Sequence, residues 1–186
     1  LSSAANTFSR FSKVTTKVLT FENLEKVFAA LESGRCDAMV TDRSALAAWR
    51  SNAPKPDDYV ILKDVLAKSP FAGFVAANDS KWRSVLRWVT YALFQAEEFG
   101  ITSANVGERL NSADPFEQKF LGVKGGFGKD FGLPDDFLVT TIKAVGNYGE
   151  IYDRNIGPKT PYALDRTGTA NALWTNGGLM YSPPWN

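Results

Sequence analysis

A carboxylate at a turn is the first feature in this sequence that could do chemistry. In Gly34-Arg35-Cys36-Asp37-Ala38-Met39-Val40-Thr41-Asp42-Arg43-Ser44 a glycine stops a helix, a short apolar strand follows, and Asp42 stands where that strand yields to a new helix. Ligands of open α/β sheets bind outside the carboxyl ends of the strands, so an acid at this turn would face a ligand. Aspartate is equally favoured there as a cap for the free amides of the first helical turn. Asp42 is therefore either a carboxylate that faces a ligand or a helix cap.

Subtraction narrows the chemistry. The 186 residues include no His, which removes the usual general base, the Ser-His-Asp and Cys-His nucleophile systems, and imidazole zinc sites. Cys36 is the single cysteine, so no thiolate metal cluster is built, and no metal or cofactor is expected. Carboxylate, Lys or Tyr catalysis remains open. Lys and Arg number 21 against 20 Asp and Glu, a net charge of +1 with the basic residues scattered among acids, which is not the basic stripe of a nucleic-acid binder. Hydrophobic content of 44% and charged content of 22% suit a globular chain, and no apolar run approaches the roughly twenty residues of a membrane span. The chain opens on Leu1 without a signal segment, as a mature exported protein or a chain lacking its front portion would.

The elements that must position Asp42 alternate in type. Residues 1–10 read as a short helix with Leu1, Ala4, Ala5 and Phe8 on one face, and 13–21 as a β-branched strand. Residues 22–33 form a helix striped by Leu24, Val27, Phe28 and Leu31, with Gly34 as its stop. Strand 36–41, helix 44–50, a two-proline loop and strand 59–62 complete an α/β layer of parallel strands. A further strand is expected over 71–77. Beyond it the chain is helical: the strongest stripe runs through Trp82, Val85, Leu86, Val89, Ala92, Leu93 and Ala96 to a stop at Gly100. Shorter helices are expected over 105–110 and 115–121, and another opened by Pro134 and striped by Leu138, Ile142 and Val145.

Two other stretches invite a chemical reading. Gly122-Val123-Lys124-Gly125-Gly126-Phe127-Gly128-Lys129 fails both the Walker and the dinucleotide spacings, since Val123, Asp130 and Phe131 occupy required positions, and reads as a flexible connection. Trp174, Tyr181 and Trp185, within a turn-rich end that begins near Gly157, are either a stacking platform for a ring-shaped ligand or anchors that bury their own area.

Several segments, taken in order, carry a resemblance. Gly34-Arg35-Cys36-Asp37 through Thr41-Asp42, Gln95-Ala96-Glu97-Glu98-Phe99-Gly100-Ile101-Thr102, Ala144-Val145-Gly146-Asn147-Tyr148-Gly149-Glu150-Ile151-Tyr152, Arg154-Asn155-Ile156-Gly157 and Gly177-Gly178-Leu179-Met180-Tyr181-Ser182-Pro183-Pro184 resemble the general L-amino-acid-binding periplasmic proteins of bacterial ABC transporters, in the polar amino-acid group of solute-binding proteins. The resemblance spans nearly the whole chain.

It implies a periplasmic-binding-protein-like fold of type II, with two α/β lobes closing on a ligand at a hinge. On that pattern residues 1–66 are the latter part of lobe two, 67–78 the hinge crossing and return strand, and 79–186 lobe one with a helical C-terminal extension. It further implies capture of an L-amino acid for delivery to an inner-membrane ABC permease, without catalysis, by a periplasmic monomer that does not itself span the membrane. Asp42 then matches the lobe-two aspartate that accepts from the ligand ammonium, and Thr41 is either a contact to the ligand side chain or merely the end of the strand. The arginine that pairs with the ligand carboxylate and a Thr-rich loop would precede Leu1, and Cys36 would either pair by a disulfide with a residue there or be a buried free thiol. An enzyme on the same fold, a dehydratase of cyclohexadienyl type, and a non-binding fragment are the alternatives.

Overall fold

The computed structural model describes Ser9 and residues 14–185. Apart from Ser9, which is helical, the helix expected over 1–10 lies outside the described residues, as does Lys13. The chain divides into two compact units, one ending at Phe71 and the other beginning at Ala72.

In the first unit the amphipathic pattern produces α1 (Leu24–Glu32) and α2 (Arg43–Asn52). The side chain of Asn23 accepts from the Lys26 amide at 3.0 Å and so caps α1. Its other end closes as a Schellman motif: the Arg35 amide donates to Ala30 O at 2.9 Å and the Gly34 amide to Leu31 O at 3.0 Å, with Gly34 at φ +70°. A side chain would strain that left-handed position, so the glycine terminates the helix by conformation. Phe28 of α1 stacks on Trp49 of α2 at 5.2 Å, and Trp49 meets Tyr59 edge-on at 4.6 Å. These rings join the two helices; the fully buried apolar residues of the unit are only Ala30, Ala47 and Ala53 among those described.

The expected parallel sheet is not realised. Among the described residues no strand forms at 14–21, 36–41, 59–62 or 71–77; these segments run without ladder hydrogen bonds between them. β-Branched and aromatic composition describes a good fit to a half-buried pleated surface, not a backbone preference that acts alone. Strands are held by cross-strand partners. Here Val60 is 79% exposed and Phe74 97%, so these apolar runs meet no opposing face among the described residues.

The second unit is organised around α3 (Ser80–Glu98), the stripe most evident in the sequence. Asp79 caps it by accepting from the Trp82 amide at 2.8 Å, and Gly100 at φ +65° ends it while the Ile101 amide returns to Ala96 O at 2.7 Å. Around it lie α4 (Val106–Arg109), α5 (Pro115–Phe120), α6 (Gly128–Phe131), α7 (Phe137–Val145) and α8 (Tyr148–Asn155). Ala92, Ala96, Ile101, Val106, Phe120, Leu121, Leu138 and Ile142 form one continuous core. Each large apolar side chain buried in it contributes about 1.5–3 kcal/mol.

Three expectations for this unit change. The glycine-rich stretch is packed, not a flexible connection: a Cβ on Gly122 would lie 2.1 Å from Asp135 O and one on Gly128 2.1 Å from Pro134 O. Helix α7 starts after Pro134, because the Phe137 amide donates back to Pro134 O at 3.1 Å in a turn. Helix α8 was not expected, although Asn147-x-x-Glu150 is a capping-box signature; the Glu150 amide donates to Asn147 Oδ1 at 2.9 Å and the Asn147 amide to Glu150 Oε2 at 2.9 Å.

Candidate functional site

Asp42 occupies the N-cap position of α2 with an extended backbone, φ −60° and ψ 139°, and its carbonyl accepts from the Leu46 amide at 3.0 Å. Its side chain makes no capping hydrogen bond. The two readings left open by position therefore separate: the carboxylate is exposed and has no hydrogen-bond or ion-pair partner among the described residues. The Phe28–Trp49–Tyr59 ring stack anchors the helix that carries it.

Thr41 is half-buried beside it, with no strand to end and no side-chain hydrogen bond among the described residues. Cys36 is half-buried and carries a free thiol. The disulfide implied by the resemblance gains no support: with a single cysteine, none closes within the chain. Chemically, the Thr41–Asp42 pair offers one carboxylate and one hydroxyl, enough to accept hydrogen bonds from an ammonium group. Among the described residues no group of three His, Cys, Asp or Glu side chains could hold a metal ion.

In the second unit, the motifs that carried the resemblance meet each other. The Arg166 guanidinium pairs with the Glu97 carboxylate, with Nη1 to Oε2 at 3.1 Å and a closer contact from Nη2 to Oε1. It lies 5.5 Å from the Tyr148 ring and 5.9 Å from that of Tyr152. Burial opposes the Arg166 charge, but the hydrogen bond and charge of Glu97 outweigh it and raise the pKa above the ordinary value. Burial beside this cluster also raises the Tyr148 pKa.

Glu150 continues the network. Its Oε1 accepts from the Ser103 hydroxyl at 2.6 Å and its Oε2 from the Ser103 amide at 3.0 Å, while Asn147 Nδ2 donates to Ile101 O at 2.8 Å. Partial burial pushes the Glu150 carboxyl up; the Ser103 hydroxyl, the Asn147 and Ser103 amides and the Arg154 charge together hold it below its ordinary value. These residues join α3 to α8 and give the motifs a structural role. Arg166 is a functional-looking side chain that sequence reasoning misses, since no local pattern ties it to Glu97.

The aromatic alternatives also separate. Trp185 is an anchor, 9% exposed, edge-on to Trp88 at 4.9 Å and to Phe120 at 5.3 Å. Trp174 and Tyr181 are not: they are 54% and 58% exposed.

No family model matches the chain. It is 45% identical over 168 residues to the general L-amino acid-binding periplasmic protein AapJ of Rhizobium johnstonii, covering 89% of this chain and 49% of that protein. It is 41% identical over 167 residues to the putative amino-acid ABC transporter-binding protein YhdW of Escherichia coli, covering 89% and 48%. Against the glutamate/glutamine/aspartate/asparagine-binding protein BztA of Rhodobacter capsulatus it is 43% identical, covering 87% and 46%. A solved structure, an ABC transporter/periplasmic binding protein from Brucella ovis with glutathione bound, superposes with a TM-score of 0.84 at 43% identity, over 97% of this chain and 56% of that one. The chain spans about half the length of the curated relatives it matches. Backbone and sequence agree over that half: there the chain is similar to periplasmic solute-binding proteins of ABC transporters.

Proposed function

We propose that this chain contributes to the capture of an L-amino acid in the periplasm, in a cleft between two lobes, for delivery to an inner-membrane ABC permease, with no catalytic step. Residues 1–66 are read as the latter part of lobe two, 67–78 as the crossing and 79–186 as lobe one with its extension. The observation that carries the reading is the Asp42 carboxylate, exposed at the start of α2 and making no capping bond. Asp42 accepts from the ligand α-ammonium, a charge-assisted bond that strengthens as closure excludes water, and Thr41 contacts the ligand side chain. Closure is a hinge motion stabilised by contacts to both lobes. The names of the Rhizobium and Rhodobacter relatives, both amino-acid-binding, support this reading.

A second ligand is favoured by one observation: the Brucella relative was solved with glutathione bound. The γ-glutamyl end of glutathione carries the same α-ammonium and α-carboxylate as a free amino acid, so Asp42 would meet the same group in either case. The test is calorimetry with a panel of L-amino acids and glutathione, on this chain and on a version extended by the preceding half of the Rhizobium relative. Saturable heat with any member supports capture. Silence from the extended protein across the whole panel removes it.

A further inference from the structure

The C-terminal unit holds a cavity far along the chain from Asp42 and independent of the transport reading. A cavity of about 440 Å³ is lined by Gln95, Glu98, Trp174, Tyr181, Ser182 and Pro184. Its volume falls within the usual range for small-molecule pockets, about 300–1,000 Å³. Two of its walls are the exposed rings of Trp174 and Tyr181. Trp174 Nε1 donates to Glu98 Oε2 at 3.0 Å, which fixes both the indole and the carboxylate at the rim. That leaves Glu98 Oε1 without a hydrogen-bond partner among the described residues.

Gln95 adds a polar side chain to the wall: it is 8% exposed and lines this cavity. The Glu98 carboxylate and the Gln95 side-chain carbonyl accept hydrogen bonds, and the two rings present negative π-faces; all four favour a cation. A planar, many-donor cation on a short apolar stem satisfies them together. Such a group would lay its plane along the indole and turn its N–H groups to the carboxylate and the amide oxygen, with its stem against Pro184 and Tyr181.

We propose that this cavity binds a guanidinium group borne on a short aliphatic chain. The test uses the 186-residue chain, butylguanidinium as the probe, and butylurea as a neutral compound of the same shape. The indole N–H resonance of Trp174, identified by its loss in Trp174→Phe, is followed through each titration. The expected result is a saturable shift with butylguanidinium, little or none with butylurea, and binding weakened about tenfold or more by Glu98→Gln. Glu98 is half-buried on a surface helix face and the substitution keeps its shape, so circular dichroism should show an unchanged fold. Gln95→Leu, which fills the same space without an acceptor, should also weaken binding. Equal shifts with the two probes, no saturation, or unchanged affinity in a folded Glu98→Gln protein would each overturn the proposal.

Discussion

Arg166 and Glu97, 69 residues apart in sequence, form a mostly buried ion pair whose side chains are 18% and 13% exposed. The guanidinium lies within 6 Å of the Tyr148 and Tyr152 rings, so the pair ties the C-terminal turns to both α3 and α8. Removing one partner leaves the other charge buried without compensation. Glu97→Gln should therefore destabilise the second unit by about 3 kcal/mol, read as an earlier urea midpoint by circular dichroism. A midpoint equal to the parent's would show that the pair is solvated.

Glu150 makes stability depend on pH. Its folded pKa lies below its ordinary value, so the folded state binds this proton less readily than the unfolded chain. The stabilisation is present above the unfolded pKa and is lost as pH falls through the lowered folded pKa. In parent protein the melting temperature should drop on acidification through the carboxylate range. Glu150→Gln should begin about 1–2 kcal/mol less stable at neutral pH and show a shallower acid slope. Parallel slopes would contradict this account.

Asp42 and Asn23 occupy equivalent cap positions with different consequences. Asn23 accepts from the Lys26 amide, and Asn23→Ala should cost about 1 kcal/mol of stability. Asp42 caps nothing, and Asp42→Ala should change stability by no more than about 0.5 kcal/mol. In a ligand-binding form of the protein the same substitution should weaken amino-acid affinity by about 2–5 kcal/mol, measured by calorimetry. Loss of stability without loss of affinity would return Asp42 to the role of a cap.

Gly122 tests whether the glycine-rich stretch is packed. Its φ is +76°, and the Cβ of an alanine there would lie only 2.1 Å from Asp135 O, so Gly122→Ala combines left-handed strain with overpacking. A cost of about 2–4 kcal/mol in chemical denaturation is expected. Gly125, also at positive φ but with open space around it, should tolerate alanine better.

Trp185 anchors the end of the chain in the core. Its ring meets Trp88, Phe120 and Phe127 edge-on, and its indole N–H donates to Ser182 Oγ at 2.9 Å. Trp185→Ala should cost about 3–5 kcal/mol. Faster amide exchange in residues 177–185 would accompany that loss.

Local periodicity and capping chemistry were enough to define α1 and α3, but not α6 or α8. The stripes of α1 and α3, and their glycine stops at Gly34 and Gly100, are visible because a 3.6-residue pattern and a left-handed terminus are written in neighbouring residues. The same local logic placed Asp42 at the start of α2. It could not decide between cap and free carboxylate, since that depends on where the side chain points once the helix is formed. Strand formation escaped it for a different reason: residues 59–62 and 71–77 have strand composition, but a strand requires a partner that no single segment encodes. Only the tertiary structure joins Glu97 to Arg166, Ser103 to Glu150, and Gln95 and Glu98 to the rings near the C-terminus. Those contacts follow from packing separate helices and turns on one core, and sequence distance carries no trace of them.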